Sequence, residues 1–293
     1  MPERAPTEPD VYGRDVAPLK LTKTSLSYLG IGGLALLTAA VSIAALTQYR
    51  TPPASATPST AVATPATDAA AATPSPSASA PREGLAGVAD IINSPDGASI
   101  LVIGDGSGDE DDEWVAVWAR DHLAANATVS YRAWDRANNQ YAAAVRTGSA
   151  GPTIELWNAS VRSPDMAREP ARIARAWQDA DVVLLSYGHR LNPAQVTGQM
   201  DAVAAAVRAE GPNARIVVLL QNPDRAATEA IQAQTVQAIK EWADAQGFPT
   251  IDVFDPFSKD PGPRNDLVES DGSPTAAGSQ LFAGILADAL INA

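Results

Sequence analysis

The 293-residue chain has no cysteine, only two histidines and only four phenylalanines. Without cysteine it forms neither a disulfide framework nor a thiolate metal site, so an oxidising compartment is permitted without being required. Positive charge is also scarce: 21 Lys and Arg stand against 34 Asp and Glu, a formal charge of −13. Six residues of each sign precede Gly84, so the stretch from Gly84 onward carries 15 basic against 28 acidic side chains. A surface of that sign repels a phosphate backbone, and nucleic acid is not an expected partner.

Large apolar residues are missing from one region. Between Thr51 and Pro81 the chain is almost wholly Pro, Ala, Ser and Thr, with Val62 the single large apolar residue and Asp68 the single charge. Such a segment buries too little surface to offset its ordering entropy. Its Thr-Pro and Ser-Pro steps favour extended polyproline-like backbone, so residues 48–83 are expected to form a disordered, semi-stiff stalk.

What precedes the stalk is the opposite. The 21 residues Leu26–Leu46 carry no charge and are rich in Leu, Ile, Ala and Val. At about 1.5 Å rise per residue they match a hydrocarbon core about 30 Å thick. Gly30, Gly32 and Gly33 are tolerable in a lipid-embedded helix, and Tyr28 and Tyr49 stand where interfacial aromatics belong. Arg4, Arg14, Lys20 and Lys23 precede the run, whereas only Arg50 and Arg82 follow it before the domain, which places the N-terminus in the cytoplasm. A polar head of 25 residues and an apolar run this long argue against a cleaved signal peptide. The expected layout is a single-pass protein of the cell membrane. Residues 1–25 form a cytoplasmic head, 26–47 a transmembrane helix that meets the lipid bilayer through Leu26–Leu46, 48–83 the stalk, and 84–293 a domain outside the cell.

About 210 residues are enough for one well-buried core. Strands are expected at Ser99–Ile103, Thr128–Trp134, Thr153–Trp157, Val182–Ser186, Ile216–Gln221 and Thr250–Phe254. Helices are expected over Asp111–Ala125, Asp165–Asp179, Pro193–Ala209, Ala226–Gln246 and Pro274–Ile291. Unbroken apolar runs such as Val182–Leu185 and Ile216–Leu220 read as strands buried on both faces, and the alternation of strand with helix predicts a parallel sheet between two helix layers. In such sheets ligands gather beyond the carboxyl ends of the strands.

The first strand ends in Gly104-Asp105-Gly106-Ser107-Gly108, followed by the acidic run Asp109–Glu113. Alone this is a glycine turn before an acid-rich helix start. Three other strand ends and loops add to it: Trp157-Asn158-Ala159-Ser160, Gly188-His189-Arg190, and Ser270-Asp271-Gly272-Ser273-Pro274-Thr275-Ala276-Ala277-Gly278. In order and spacing these four segments resemble the conserved blocks of SGNH hydrolases, also called GDSL esterases. The resemblance covers essentially all of Ala98–Ala293 and implies a three-layer α/β/α, flavodoxin-like parallel sheet. In that family a serine after the first-block aspartate attacks an ester carbonyl. A histidine near the C-terminus takes its proton, oriented by an aspartate three residues earlier, and the serine N–H, a glycine N–H and an asparagine side chain hold the oxyanion.

At the chemical positions this chain departs from the pattern. Gly106 stands where the nucleophilic serine belongs, Ala159 where the oxyanion-hole glycine belongs and Arg190 where the asparagine belongs. Ungapped alignment of the last block puts Ser270 on the aspartate and Ser273 on the histidine, and matching Asp271-Gly272 instead requires a deletion. Neither alignment supplies the histidine. Ser107, one residue late, and His189, on the adjoining turn, are the remaining candidates for a nucleophile and base. His122 falls on a helix side and is no candidate. Arg190 offers a fixed charge and a planar fork of donors suited to a carboxylate or phosphate, or else pairs with Asp105 or Asp271. The run Asp109–Glu113 lacks calcium-loop spacing and reads as a helix N-terminus with a solvated face, while Trp114 and Trp118, four apart, read as core. No metal and no cofactor is expected.

The expected ligand-binding positions are therefore Asp105, Gly106, Asn158, Ala159, Gly188, Arg190 and Ser273. The leading expectation is a catalytically degenerate domain that binds a cell-wall glycan or an acylated ligand. An active acyl hydrolase built on Ser107 and His189, and a scaffold for another envelope protein, stay open beside it.

Overall fold

In a computed structural model the described residues are 84–225 and 227–292. The expected head, span and stalk lie outside them, and among the described residues no helix is long and apolar enough to cross a membrane.

Strand β1 (Ala98–Gly104) lies at the centre of the sheet, parallel to β5 (Thr153–Asn158) on one side and to β6 (Val182–Ser186) on the other. Beyond β6 come β7 (Arg215–Leu220) and β8 (Thr250–Asp252), and beyond β5 comes β2 (Thr128–Asp135), all parallel. Two short strands, β3 (Gln140–Tyr141) and β4 (Val145–Thr147), pair antiparallel with β2, and the strand order is β3-β2-β5-β1-β6-β7-β8. Leaving out β2 to β4, the five remaining strands run second-first-third-fourth-fifth, the flavodoxin-like order.

Alternation along the central strands feeds two cores. Ile100 and Val102 of β1, Leu184 of β6 and Val217 of β7 point to one face, covered by α1 (Leu85–Ile92), α2 (Trp114–Val117) and α8 (Ala276–Leu290). Leu101, Ile103, Leu185 and Val218 point to the other, covered by α3 (Glu169–Ala176), α4 (Val196–Glu210) and α5 (Glu229–Gln246). Trp114 and Trp118 are fully buried, as their spacing predicts, and Trp114 stacks on Phe282 with ring centroids 4.4 Å apart.

The structure differs from the sequence expectation in several places. The helix expected from Asp111 begins only at Trp114 and passes into a π turn (Trp118–His122) and a 3-10 turn (Leu123–Ala125), because the acids before it are tied into the preceding loop. The last strand stops at Asp252, whose carboxylate accepts the Asp255 N–H at 3.0 Å and starts α6 (Phe254–Lys259). A further short helix, α7 (Arg264–Leu267), precedes the final block. Helix α1 and the β3–β4 excursion were not expected, being too short to show a period.

Candidate functional site

The carboxyl ends of β1, β5, β6 and β7 converge with the loop before α8. Asp105, just past β1, is 3 % exposed and takes four N–H donors: Ser107 N (3.2 Å) and Gln221 Nε2 (2.9 Å) on one oxygen, Gly188 N (3.2 Å) and His189 N (3.1 Å) on the other. A buried carboxylate is tolerable only with partners of this kind. Asp105 thus ties the ends of three strands together and has no free face for a ligand.

Gln221, fully buried at the end of β7, is the second tie. Its amide nitrogen also lies 2.9 Å from Ser107 Oγ, 2.9 Å from Ser186 Oγ and 2.8 Å from the Ser186 carbonyl, while its oxygen accepts His189 N at 3.1 Å. Ser107 is 2 % exposed, and its hydroxyl is turned to Gln221. The His189 ring faces away, with Nε2 3.5 Å from Asn222 Oδ1 and Nδ1 buried without a partner beside Gly272. Among the described residues no hydrogen bond joins Ser107 to His189. His122 lies half-buried in the π turn.

Around this floor is a small cleft of about 30 Å3, lined by Asp105, Gly106, Ser107, His189, Arg190 and Ser273 and by Arg162, Ser163, Pro164 and Asp271. Its volume is that of one or two waters. Six of the sequence-predicted residues meet here and three do not. Gly188 lies behind the wall, its N–H on Asp105. Asn158 is spent internally: its amide donates to the Gly108 carbonyl (2.6 Å) and lies 3.2 Å from Tyr131 Oη, and its oxygen accepts Ser160 N (3.1 Å). Ala159 is fully buried, and its N–H donates to the Val102 carbonyl at 2.8 Å. It is therefore not the backbone donor of an oxyanion hole. The residues of that segment that reach the cleft are Arg162, Ser163 and Pro164, and Ser163 is at φ 53°, a left-handed backbone where a glycine would sit without cost.

Ser273 donates its hydroxyl to the Gly106 carbonyl at 3.0 Å. Positions 106 and 273, which the ungapped alignment sets on the nucleophile and the base, thus meet in the cleft and carry a glycine and a serine. Position 106 is also covered. A Cβ there would stand 2.9 Å from Arg162 Cα, a backbone atom. Arg162 is held from four directions: its N–H donates to Asp109 (2.7 Å), its carbonyl accepts Arg136 Nη1 (2.8 Å), and its guanidinium pairs with Glu110 (3.3 Å) and Asp271 (3.4 Å).

Arg190, at φ 64°, pairs with neither Asp105 nor Asp271, contrary to one expectation. Asp105 is saturated by N–H donors and Asp271 is taken by Arg162, so Arg190 donates to the Ser163 hydroxyl at 2.9 Å. Partial burial works against the charged form of Asp271, but the Ser273 N–H and the Arg162 charge outweigh it and hold the carboxyl below its usual range. In the acidic run, Asp111 and Asp112 are solvated as expected, whereas Glu113 is 6 % exposed. Burial, together with repulsion from Asp109 and Glu110, pushes Glu113 up to about 8, and burial also raises Asp109 against the pull of Arg162. Among the described residues no three His, Asp or Glu side chains converge as a metal site.

Residues 97–281 match the family model of GDSL-like lipases and acylhydrolases, which is well over half of the chain. The chain belongs to this GDSL-like lipase/acylhydrolase family. No curated protein matches it. Solved structures similar to it include the lipase/acylhydrolase from Enterococcus faecalis (14 % identity, TM-score 0.48, covering 65 % of this chain and 94 % of that one). Another is an α/β-hydrolase enzyme from a Lake Arreo metagenome (16 %, 0.47, 66 % and 94 %). A third is a lipolytic protein of the G-D-S-L family from Veillonella parvula (12 %, 0.45, 65 % and 96 %). Sequence reasoning missed Arg162, Ser163 and Gln221 as parts of the site of this GDSL-like domain. Gln221 had a signal, since Leu220-Gln221-Asn222-Pro223 falls at a strand end. Arg162 and Ser163 had none beyond lying in the loop after β5.

Proposed function

We propose that the domain is a catalytically silent member of its family, carried outside the cell on a membrane-anchored stalk, and that its cleft binds an envelope glycan or an acylated ligand instead of hydrolysing it. The observation that carries the reading is the contact of Ser273 Oγ with the Gly106 carbonyl at 3.0 Å. Where a histidine would take a proton from a serine, a hydroxyl meets a backbone oxygen. The Gln221 contact to Ser107 and the contact of His189 with Asn222 support the same reading, because among the described residues the Ser107 hydroxyl meets an amide nitrogen and no hydrogen bond joins it to a histidine or carboxylate.

The test uses the full chain in a non-ionic detergent, with short-chain p-nitrophenyl esters and a serine-reactive fluorophosphonate probe. Turnover is expected to equal that of a Ser107→Ala variant, with no covalent labelling. Nucleophile, base and oxyanion donor act as one unit, so their joint replacement leaves no partial activity to detect. Ester turnover abolished by Ser107→Ala or His189→Ala would establish a rearranged dyad and overturn the reading.

A further inference from the structure

We infer that the cleft selects a planar monoanion, a carboxylate, and that Arg190 is the residue that binds it. This rests on the reading of the cleft as a binding site and names the ligand group that site takes.

The charges that line the cleft are two carboxylates and two guanidiniums, and three of the four are already engaged. Asp105 is saturated by four N–H donors, and Asp271 is ion-paired with Arg162. Of these four, Arg190 alone has no ion-pair partner among the described residues, and its Nη1 donates to a neutral serine hydroxyl. Arg190 is thus the one cation of the cleft without an anionic partner, and a single carboxylate would complete its pairing. A doubly charged phosphate would place its second charge against Asp105, Asp271 and nearby Glu110 without a cation to meet it.

The backbone adds an independent observation. Ser163 and Arg190 are two of the three non-glycine residues at positive φ among the described residues, at 53° and 64°, and they are hydrogen-bonded to each other on the rim of the cleft. Left-handed backbone in residues with side chains is costly, and where it clusters at a ligand site it fixes the direction of a contact group. Here it aims the arginine fork, whose parallel N–H groups fit the two oxygens of a carboxylate. Arg190 stands where the resemblance places the oxyanion asparagine, so a neutral donor for a transient charge is replaced by a permanent cation suited to a resident one.

Equilibrium dialysis of the full chain in non-ionic detergent, at fixed ionic strength, tests this with labelled acetate and labelled glucuronate. Acetamide, methyl acetate and inorganic phosphate serve as competitors. Saturable binding of the carboxylates is expected, not displaced by the two neutral compounds and displaced less well by phosphate than by unlabelled carboxylate. Arg190→Gln should weaken it about tenfold or more, the loss typical of a hydrogen-bonded charge partner, and Arg190→Lys should weaken it less. Tighter binding of glucuronate points to a glycan-borne carboxylate, and equal binding points to a free acid. Absence of saturable carboxylate binding, displacement by methyl acetate, stronger displacement by phosphate, or unchanged affinity in Arg190→Gln would overturn the inference. If Arg190→Gln fails to fold, the competition series on the unaltered protein decides alone. Binding of a neutral acylated sugar without any carboxylate response would sink this inference while leaving the binding role of the cleft intact. Ser107-dependent ester turnover would instead remove the reading beneath it.

Discussion

Replacing Asp105 by alanine should cost the domain about 4 kcal/mol, for reasons that can be counted donor by donor. Of its four donors, Gln221 Nε2 keeps other acceptors in Ser107 and Ser186, and His189 N keeps the Gln221 oxygen. Among the described residues the N–H groups of Ser107 and Gly188 have no other acceptor. Each buried donor left without a partner costs roughly 1–3 kcal/mol, so two of them give about 2–6. Asp105→Asn should cost less, about 2 kcal/mol, because one oxygen remains to accept while the new NH2 group opposes a donor. For a domain of this size each kcal/mol lowers Tm by about 2–4 °C, so thermal or urea unfolding of the alanine variant should show a drop of roughly 8–16 °C. A change below about 2 °C, or an asparagine variant less stable than the alanine one, would refute the role of Asp105 as a tie between strand ends.

Glu113 should make stability fall with rising pH. Its folded pKa of about 8 exceeds its usual value near 4.5, so the folded state holds an extra proton between those limits. Stability from this group is full below about pH 4.5 and lost as pH rises through 8; Glu113→Gln should therefore stabilise the protein at pH 9 by on the order of 3 kcal/mol relative to pH 5, read from denaturant midpoints at the two pH values. Gly106→Ser should lower stability by about 1–3 kcal/mol, because the new side chain meets Arg162 Cα, and should bring no esterase activity; unfolding midpoints and an ester assay check both halves. Protease added to intact cells should remove the epitope of a tag at the C-terminus and spare one at the N-terminus, and the reverse pattern would invert the proposed topology.

The sheet was legible because its inner strands are buried on both faces. Val182–Leu185 and Ile216–Leu220 read as continuous apolar runs, and the strands expected at Val182–Ser186 and Ile216–Gln221 come out at Val182–Ser186 and Arg215–Leu220, within a residue of expectation. Helix starts were less so, since Asp109 and Glu113 look like a helix entrance by composition but bond to the loop instead. Within the site, the segments were found and one assignment slipped. Trp157-Asn158-Ala159 ends a strand, but hydrogen bonding to β1 continues through Ala159 N and Val161 N, so the cleft begins later, at Arg162 and Ser163. That continuation depends on pairing across the sheet, which spacing along the chain does not encode. Arg162 was invisible for a related reason: its partners Asp109, Arg136 and Asp271 come from three distant segments.

The four-way restraint on Arg162 also bears on evolutionary history. On the proposed reading, a return to hydrolysis cannot begin with a serine at position 106, because the new side chain meets a main-chain atom fixed by the loop after β1, the turn after β2 and the segment before α8. Loosening any one of those holds first would sacrifice stability and yield no turnover, since Ser273 still lacks a basic nitrogen. Each single step backward is selected against before the next can help. On that reading, loss of the nucleophile works as a ratchet, and descendants are expected to diversify the rim around Arg190 rather than regain a triad.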